Sequence, residues 1–205
     1  MLKQTLIFLL VLSLSAMFAA ELRQLPPAEK KGGMPLLEAL AARKSSRDFK
    51  AGASLTAQEL STLLWCANGF NREKMRTAPS AVNAQAISIY VFDSEAIWLY
   101  VPESQALQLV RQGDHRKAAG MQPFVANAAV NLLYVYDLEK WPGKEKSDGK
   151  WASADAAFCA ENVYLYCASA KLKTVVRGSF DAKALTKLLG LPKTMLPVLA
   201  QSVGR

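Results

Sequence analysis

The sequence predicts an α+β sandwich, with strands and helices intermixed around a sheet that contains a hairpin. Three observations carry that prediction. Ile87–Phe92 and Ala96–Val101 are rich in β-branched and aromatic residues and flank the polar turn Asp93-Ser94-Glu95, the pattern of a hairpin. Val130–Tyr136 is apolar except for Asn131, as in a central strand. No Gly-x-Gly-x-x-Gly run is present, which argues against a doubly wound dinucleotide fold.

The chain has 205 residues, 51% hydrophobic and 20% charged, a balance that suits one globular domain with a sizeable core. Residues 1–20 are set apart. Lys3 precedes an apolar run, Thr5–Ala20, that ends in small residues and reads as a secretory signal. Export to a bacterial periplasm follows if the signal is removed. An uncleaved N-terminal anchor is the alternative, because Met17 or Phe18 stands where a cleavage site prefers a small residue. Residues 21–33 combine Pro26, Pro27, Gly32 and Gly33 with charges and read as a linker, so the domain proper spans residues 34–205.

Within the domain, Leu36, Leu37, Leu40 and Ala41 have helical spacing and deliver Arg43 and Lys44 at a helix end. Thr56-Ala57-Gln58-Glu59 is a capping box that opens a helix with the apolar face Leu60, Leu63, Leu64 and Ala67, ended by Asn68-Gly69. A polar loop, Asn71–Asn83, leads into the hairpin. Helical pattern returns over Ser104–Arg111, followed by a mixed segment, Gln112–Pro123. After the central strand, a charged excursion, Asp137–Lys150, precedes the longest helix, Trp151–Ala170, where Ala152, Ala154, Ala156, Ala157 and Ala160 permit close approach of another backbone. Thr174–Val176 is a short strand, Asp181 caps a helix over Ala182–Leu189, and Leu196–Val203 is a terminal strand.

Composition narrows the function classes. The net charge of +8 is spread along the chain without a nucleic-acid motif, so a basic surface that helps hold an anionic cofactor is the simpler reading. Cys159 and Cys167 lie eight residues and about 12 Å apart on one helix, too far to bridge. Cys66 either pairs with one of them or all three stay as buried thiols. With His115 the single histidine, no metal-ligand cluster and no Gly-x-Ser-x-Gly elbow, metal-centred and triad hydrolysis find little support. Trp65, Phe70, Phe124 and Trp141 offer either an aromatic wall for a planar substrate or ordinary packing.

Two short stretches carry the chemistry. Arg43-Lys44-Ser45-Ser46-Arg47-Asp48-Phe49 offers guanidinium, ammonium and hydroxyl donors for a phosphate. Pro79-Ser80-Ala81-Val82-Asn83-Ala84-Gln85 offers carboxamides able to read the polar edge of a flat heterocycle. In this order they resemble the nitroreductase family of FMN-dependent oxidoreductases, whose members carry an Arg-Arg-Ser-x-Arg-x-Phe-like run followed by Pro-Ser-x-x-Asn-x-Gln. Leu63–Gly69, Asp155–Ala170 and Val175-Val176-Arg177-Gly178 with Asp181 fit the same pattern.

The resemblance implies a three-layer sandwich, its mixed, mainly antiparallel sheet flanked by helices, and a homodimer with the long helix at its centre. It implies that Arg43, Lys44, Ser45 and Arg47 contact FMN, and that Pro79, Ser80 and Asn83 line the ring system from the partner subunit, with Gln85 contacting or supporting. Gly178 matches the glycine whose N–H approaches flavin N5, with Arg177 beside it, either tuning the flavin or lying on the surface. No side chain is then catalytic, because the flavin carries the chemistry. Two departures stand out: Lys171-Leu172-Lys173 replaces a family Gly-Leu-Gly, and this sequence stops at Gly204-Arg205 where many relatives continue and supply a basic phosphate ligand, a role open to Arg205 only if the C-terminus is ordered.

The expected activity is an FMN-dependent oxidoreductase that passes electrons to a small aromatic or quinone-like acceptor. NAD(P)H is an uncertain donor for an exported protein, so a quinol or redox protein is the competing donor. A non-catalytic flavin-binding or storage protein and an azoline-type peptide dehydrogenase are the alternative functions.

Overall fold

The computed structural model describes residues 21–142 and 148–205. The expected signal at 1–20 and part of the charged excursion lie outside them. The strands are β1 (Leu22–Gln24), β2 (Phe70–Arg72), β3 (Met75–Arg76), β4 (Ile87–Phe92), β5 (Ala96–Val101), β6 (Ala106–Gln112), β7 (Val130–Asp137), β8 (Lys173–Arg177) and β9 (Met195–Gly204). The helices are α1 (Leu36–Ala42), α2 (Ala57–Asn68), α3 (Ala152–Ser169) and α4 (Ala182–Leu189). Seven strands form one sheet in the order β1-β6-β5-β4-β7-β9-β8, antiparallel at every pair. β2 and β3 form a separate hairpin.

The apolar run of β7 is explained by its place. Leu132, Tyr134 and Tyr136 face a core closed by α2 and α3, while Leu133 and Val135 face a second core closed by α4 and the 3₁₀ turns at 116–119 and 123–127. The result is three layers with the sheet in the middle. Inside the first core Tyr134 OH donates to Gln201 Oε1 at 2.6 Å, and Gln201 Nε2 donates to the Ala160 carbonyl and to Thr174 Oγ1. Ala152, Ala156 and Ala160 of α3 are buried and let the helix lie close to the sheet, whereas Ala154 and Ala157 face outward. The capping box of α2 forms as predicted, with Thr56 Oγ1 accepting from Glu59 N–H and Glu59 accepting from Thr56 N–H.

Three elements differ from the sequence reading. Ser104–Arg111 is not helical. Ala106–Gln112 pairs with β5 across a turn at Gln105, where φ is +50°. Leu and Gln favour helix weakly, and the neighbouring strand with its buried Leu107 outweighs that preference. The leucines of α1 do not face the core either: Leu36, Leu37 and Leu40 are 62%, 78% and 47% exposed, and Ala39 is the buried residue. Residues 21–33, read as a linker, pack on the domain. β1 extends the sheet beside β6, Leu25 is buried, and the Pro26 carbonyl accepts from Ser61 Oγ.

Candidate functional site

Residues 43–49 leave α1 in extended form and run beside β8. Ser46 N–H donates to the Thr174 carbonyl at 2.8 Å, and Lys173 Nζ pairs with Asp48 at 3.2 Å. Tyr164, from the middle of α3, joins the two segments. Its hydroxyl lies 2.7 Å from Ser45 Oγ and accepts from Val176 N–H at 2.9 Å, and its ring lies 5.3 Å beneath the Arg43 guanidinium. Phe49 is buried and packs on Phe124. The basic run is thus anchored at both sides, while Lys44, Ser45 and Arg47 remain exposed.

Among the described residues, Arg43, Lys44 and Arg47 form no ion pair. Three cations within five residues repel one another, and a dianion beside them relieves that repulsion. One residue beyond β8, Gly178 is exposed, and a Cβ built there would meet no atom within 4 Å. Its φ does not demand glycine, nor do its neighbours. What the glycine provides is bare backbone open to approach by a planar ligand. These features suit a phosphorylated, flat cofactor.

Arg177 does not share that exposure. Expected beside flavin N5 or else on the surface, it is 7% exposed, with its guanidinium turned into the protein. It donates to the Ala119 carbonyl, to Asn131 Oδ1 at 2.8 Å and to Ser202 Oγ at 3.2 Å, all neutral acceptors. Burial lowers its pKa to about 10. The guanidinium therefore ties β7, β8 and β9 to the 116–119 turn. Met121 N–H adds a bond to the Ser179 carbonyl, and Arg116 holds the same segment by bonds to Asp114 and the Ala128 carbonyl. Asn131, the single polar residue of the β7 run, is explained by this network: it also donates to the Val125 carbonyl.

The second motif forms a tight loop at the other end of α3. Val82, Asn83 and Gln85 have φ of +47°, +54° and +50°, a left-handed conformation that costs a non-glycine residue about 1 kcal/mol or more. Gln85 N–H donates to Ser80 Oγ at 2.9 Å. The Gln85 side chain donates to the Lys74 carbonyl and to Asn83 Oδ1 and accepts from Arg76 Nε at 3.0 Å. Gln85 is thus a support of this loop. Asn83 and Pro79 are exposed and Ser80 half-buried. Asp155, in the first turn of α3, accepts from Ala81 N–H at 2.9 Å. Sequence reading placed Asp155 only as the start of a helix. No local pattern signals a contact between residues 74 positions apart.

Asp155 and Tyr164 stand nine residues apart on α3, about 13 Å along its axis. The structure therefore brings the run bearing Arg43, Lys44, Ser45 and Arg47 against β8, the strand that leads into Gly178, and holds the loop of Pro79, Ser80, Asn83 and Gln85 at the first turn of α3. Arg205 has its own partner, forking onto Glu59 at 2.6 and 2.7 Å. All three cysteines are free thiols; burial pushes Cys66 up to about 11 and Cys159 up to about 12. A cavity of about 440 Å³ between residues 29–33, α2 and α3 is lined by Trp65 but by none of the residues expected to bind the cofactor. Among the described residues no helix is long and apolar enough to cross a membrane.

Known proteins match this architecture. The chain is 37% identical to a solved nitroreductase-named structure from Ralstonia eutropha JMP134, with a TM-score of 0.81 over 90% of this chain and 89% of that one. It is 29% identical over 194 residues to the protein named nitroreductase MJ1384 of Methanocaldococcus jannaschii, covering 89% of this chain and 95% of the relative. A Staphylococcus epidermidis structure named as an NAD(P)H:FMN oxidoreductase shares the fold at a TM-score of 0.64 and 17% identity, over 87% of this chain and 90% of that one. The model of the nitroreductase family matches residues 40–205, a span that holds both motifs, and the chain belongs to that family of oxidoreductases.

Proposed function

We propose that this protein is an exported, homodimeric, FMN-dependent oxidoreductase that reduces a small aromatic or quinone-like acceptor. The observation that carries the reading is the set of cations Arg43, Lys44 and Arg47, without carboxylate partners among the described residues, on a run anchored to β8, the strand that leads into the bare backbone of Gly178. FMN supplies the electron-transfer chemistry when bound. The chain's residues hold and orient it: Arg43, Lys44 and Arg47 neutralise the phosphate, Ser45 donates a hydroxyl, and Gly178 leaves room for the ring system.

Pairing of two chains completes the site. The loop bearing Asn83 lies about 13 Å along α3 from Tyr164 and supports delivery to the partner's cofactor. Leu36, Leu37 and Leu40 of α1 and Phe158 of α3, all exposed, supply an apolar surface for that pairing. The Staphylococcus epidermidis relative's name points to NAD(P)H as a donor class, while export favours a quinol or a redox protein.

Absorbance of the purified protein, with and without added FMN, tests the reading. Flavin bands retained after desalting, and loss of FMN affinity by more than about tenfold in Arg43→Ala combined with Asn83→Ala, are the expected results. A colourless protein that cannot be reconstituted overturns it. Multiple turnovers with a quinone acceptor separate an enzyme from a flavin carrier.

A further inference from the structure

Asp155 is 2% exposed, yet only one of its carboxylate oxygens has a hydrogen bond among the described residues. Oδ1 takes the Ala81 N–H, Oδ2 is buried without a partner, and Asp155 lines a cavity of about 10 Å³ together with Asn68, Arg76, Ser80, Gln85 and Cys159, among others. A buried carboxyl with an unpaired oxygen is costly. Its single bond goes to the first residue of the loop whose Val82, Asn83 and Gln85 hold left-handed backbone conformations. Those conformations persist only where surrounding contacts impose them. Contacts on both sides do so here: Gln85 bonds with Arg76, the Lys74 carbonyl and Ser80 at the C-terminal side of the loop, and Asp155 holds its N-terminal side.

We infer that Asp155 is a positioning residue for the flavin site: it latches the 80–85 loop in the strained shape that presents Asn83 to the cofactor of the partner subunit. This deepens the FMN reading and rests on it for its last link alone. The latch needs a hydrogen-bond acceptor at Oδ1 and does not need the charge. Burial raises the Asp155 pKa, against the lowering effect of the Ala81 N–H bond. Around it stand the Arg76 cation from β3, the Cys159 thiol one turn along α3, and the neutral amides of Asn68 and Gln85. An amide at position 155 keeps the acceptor.

The experiment compares wild type, Asp155→Asn and Asp155→Ala as full, signal-free dimers. Without cofactor, hydrogen exchange at residues 81–85 is expected to quicken at least tenfold in Asp155→Ala and to stay near wild type in Asp155→Asn. With FMN titrated by fluorescence, Asp155→Ala is expected to bind about tenfold or more weakly, rescued by Asp155→Asn to within about threefold. Unchanged exchange in Asp155→Ala overturns the latch, as does an equal loss in both variants. If wild type binds no FMN while exchange responds as expected, the latch stands and the cofactor reading fails. If exchange responds but FMN affinity does not, the link to the flavin site is overturned. Should Asp155→Ala fold poorly, Asp155→Leu, similar in shape and without an acceptor, gives the same comparison.

Discussion

Replacing Gly120 with Ala is expected to destabilise the protein far more than its half-exposed position suggests. A Cβ at Gly120 would stand 2.1 Å from Arg177 Nη1, 2.8 Å from Cζ and 3.0 Å from Val125 Cγ2. The backbone there is extended, with φ of −178°, so conformation is not the obstacle; space is. A flexible side-chain end usually moves aside at little cost. The Arg177 guanidinium is buried, however, and held by Ala119, Asn131 and Ser202. Overpacking costs about 1–3 kcal/mol. Displacing a buried cation from its acceptors adds about 1.5–3 kcal/mol. A total of roughly 2.5–6 kcal/mol corresponds to a fall in Tm of about 5–24 °C for a domain of this size. Thermal and urea unfolding of wild type, Gly120→Ala, Arg177→Met and the double variant measure it. With Met at 177 the new methyl finds space, so the cost of Gly120→Ala should drop below about 1 kcal/mol, a coupling of about 2 kcal/mol. A Gly120→Ala protein within about 0.5 kcal/mol of wild type, or strict additivity in the cycle, would refute the reasoning.

Other perturbations follow from the same structure. Burial alone would raise the Glu59 pKa, but hydrogen bonds from Thr56 and Arg205 and the charge of Arg205 hold it below the ordinary 4.5. A depressed carboxyl stabilises above its unfolded value and loses that contribution as pH falls through its folded value. Arg205→Ala should therefore cost about 0.5–1 kcal/mol at pH 7, discounted for the half-exposed pair, and the difference from wild type should close in acid. Urea midpoints across pH check this. Thr56→Ala removes the cap of α2 and should cost about 1 kcal/mol by the same assay. Lys171 sits at φ +57°, so Lys171→Gly should raise stability, by up to about 1 kcal/mol in thermal unfolding. Cys159 and Cys167 should resist alkylation at pH 8 in the native protein and react fully once it is unfolded, because burial disfavours both thiolates.

Much of the local structure was legible in the residues themselves. The capping box of α2, the 87–101 hairpin, the continuous strand β7 and the Asp181 cap of α4 each depend on short-range chemistry that a few neighbouring residues specify. The Lys171 position shows the limit of pattern: the residue stands at φ +57°, a left-handed conformation that a lysine does not announce. Leucine spacing in α1 gave the helix but not its destination, since an amphipathic face turns equally well toward a core or toward another chain. The strand β6 was missed because pairing with β5 and burial of Leu107 outweigh weak local helix preference.

The candidate site divides in the same way. Sequence alone named Arg43, Lys44, Ser45 and Arg47 as an anion-binding run, because the residue types carry that chemistry wherever the fold puts them. It named Asn83 and Gln85 for the same reason. Which of these residues meet was settled by tertiary structure: Tyr164 joins the basic run to β8, Asp155 fixes the Asn83 loop farther along α3, and Arg177 faces inward to three neutral acceptors. Those contacts span 12, 74 and 46 residues of chain. Local propensity fades over a few residues, and partners so distant are chosen only when the layers close and each buried polar group must find its hydrogen bond.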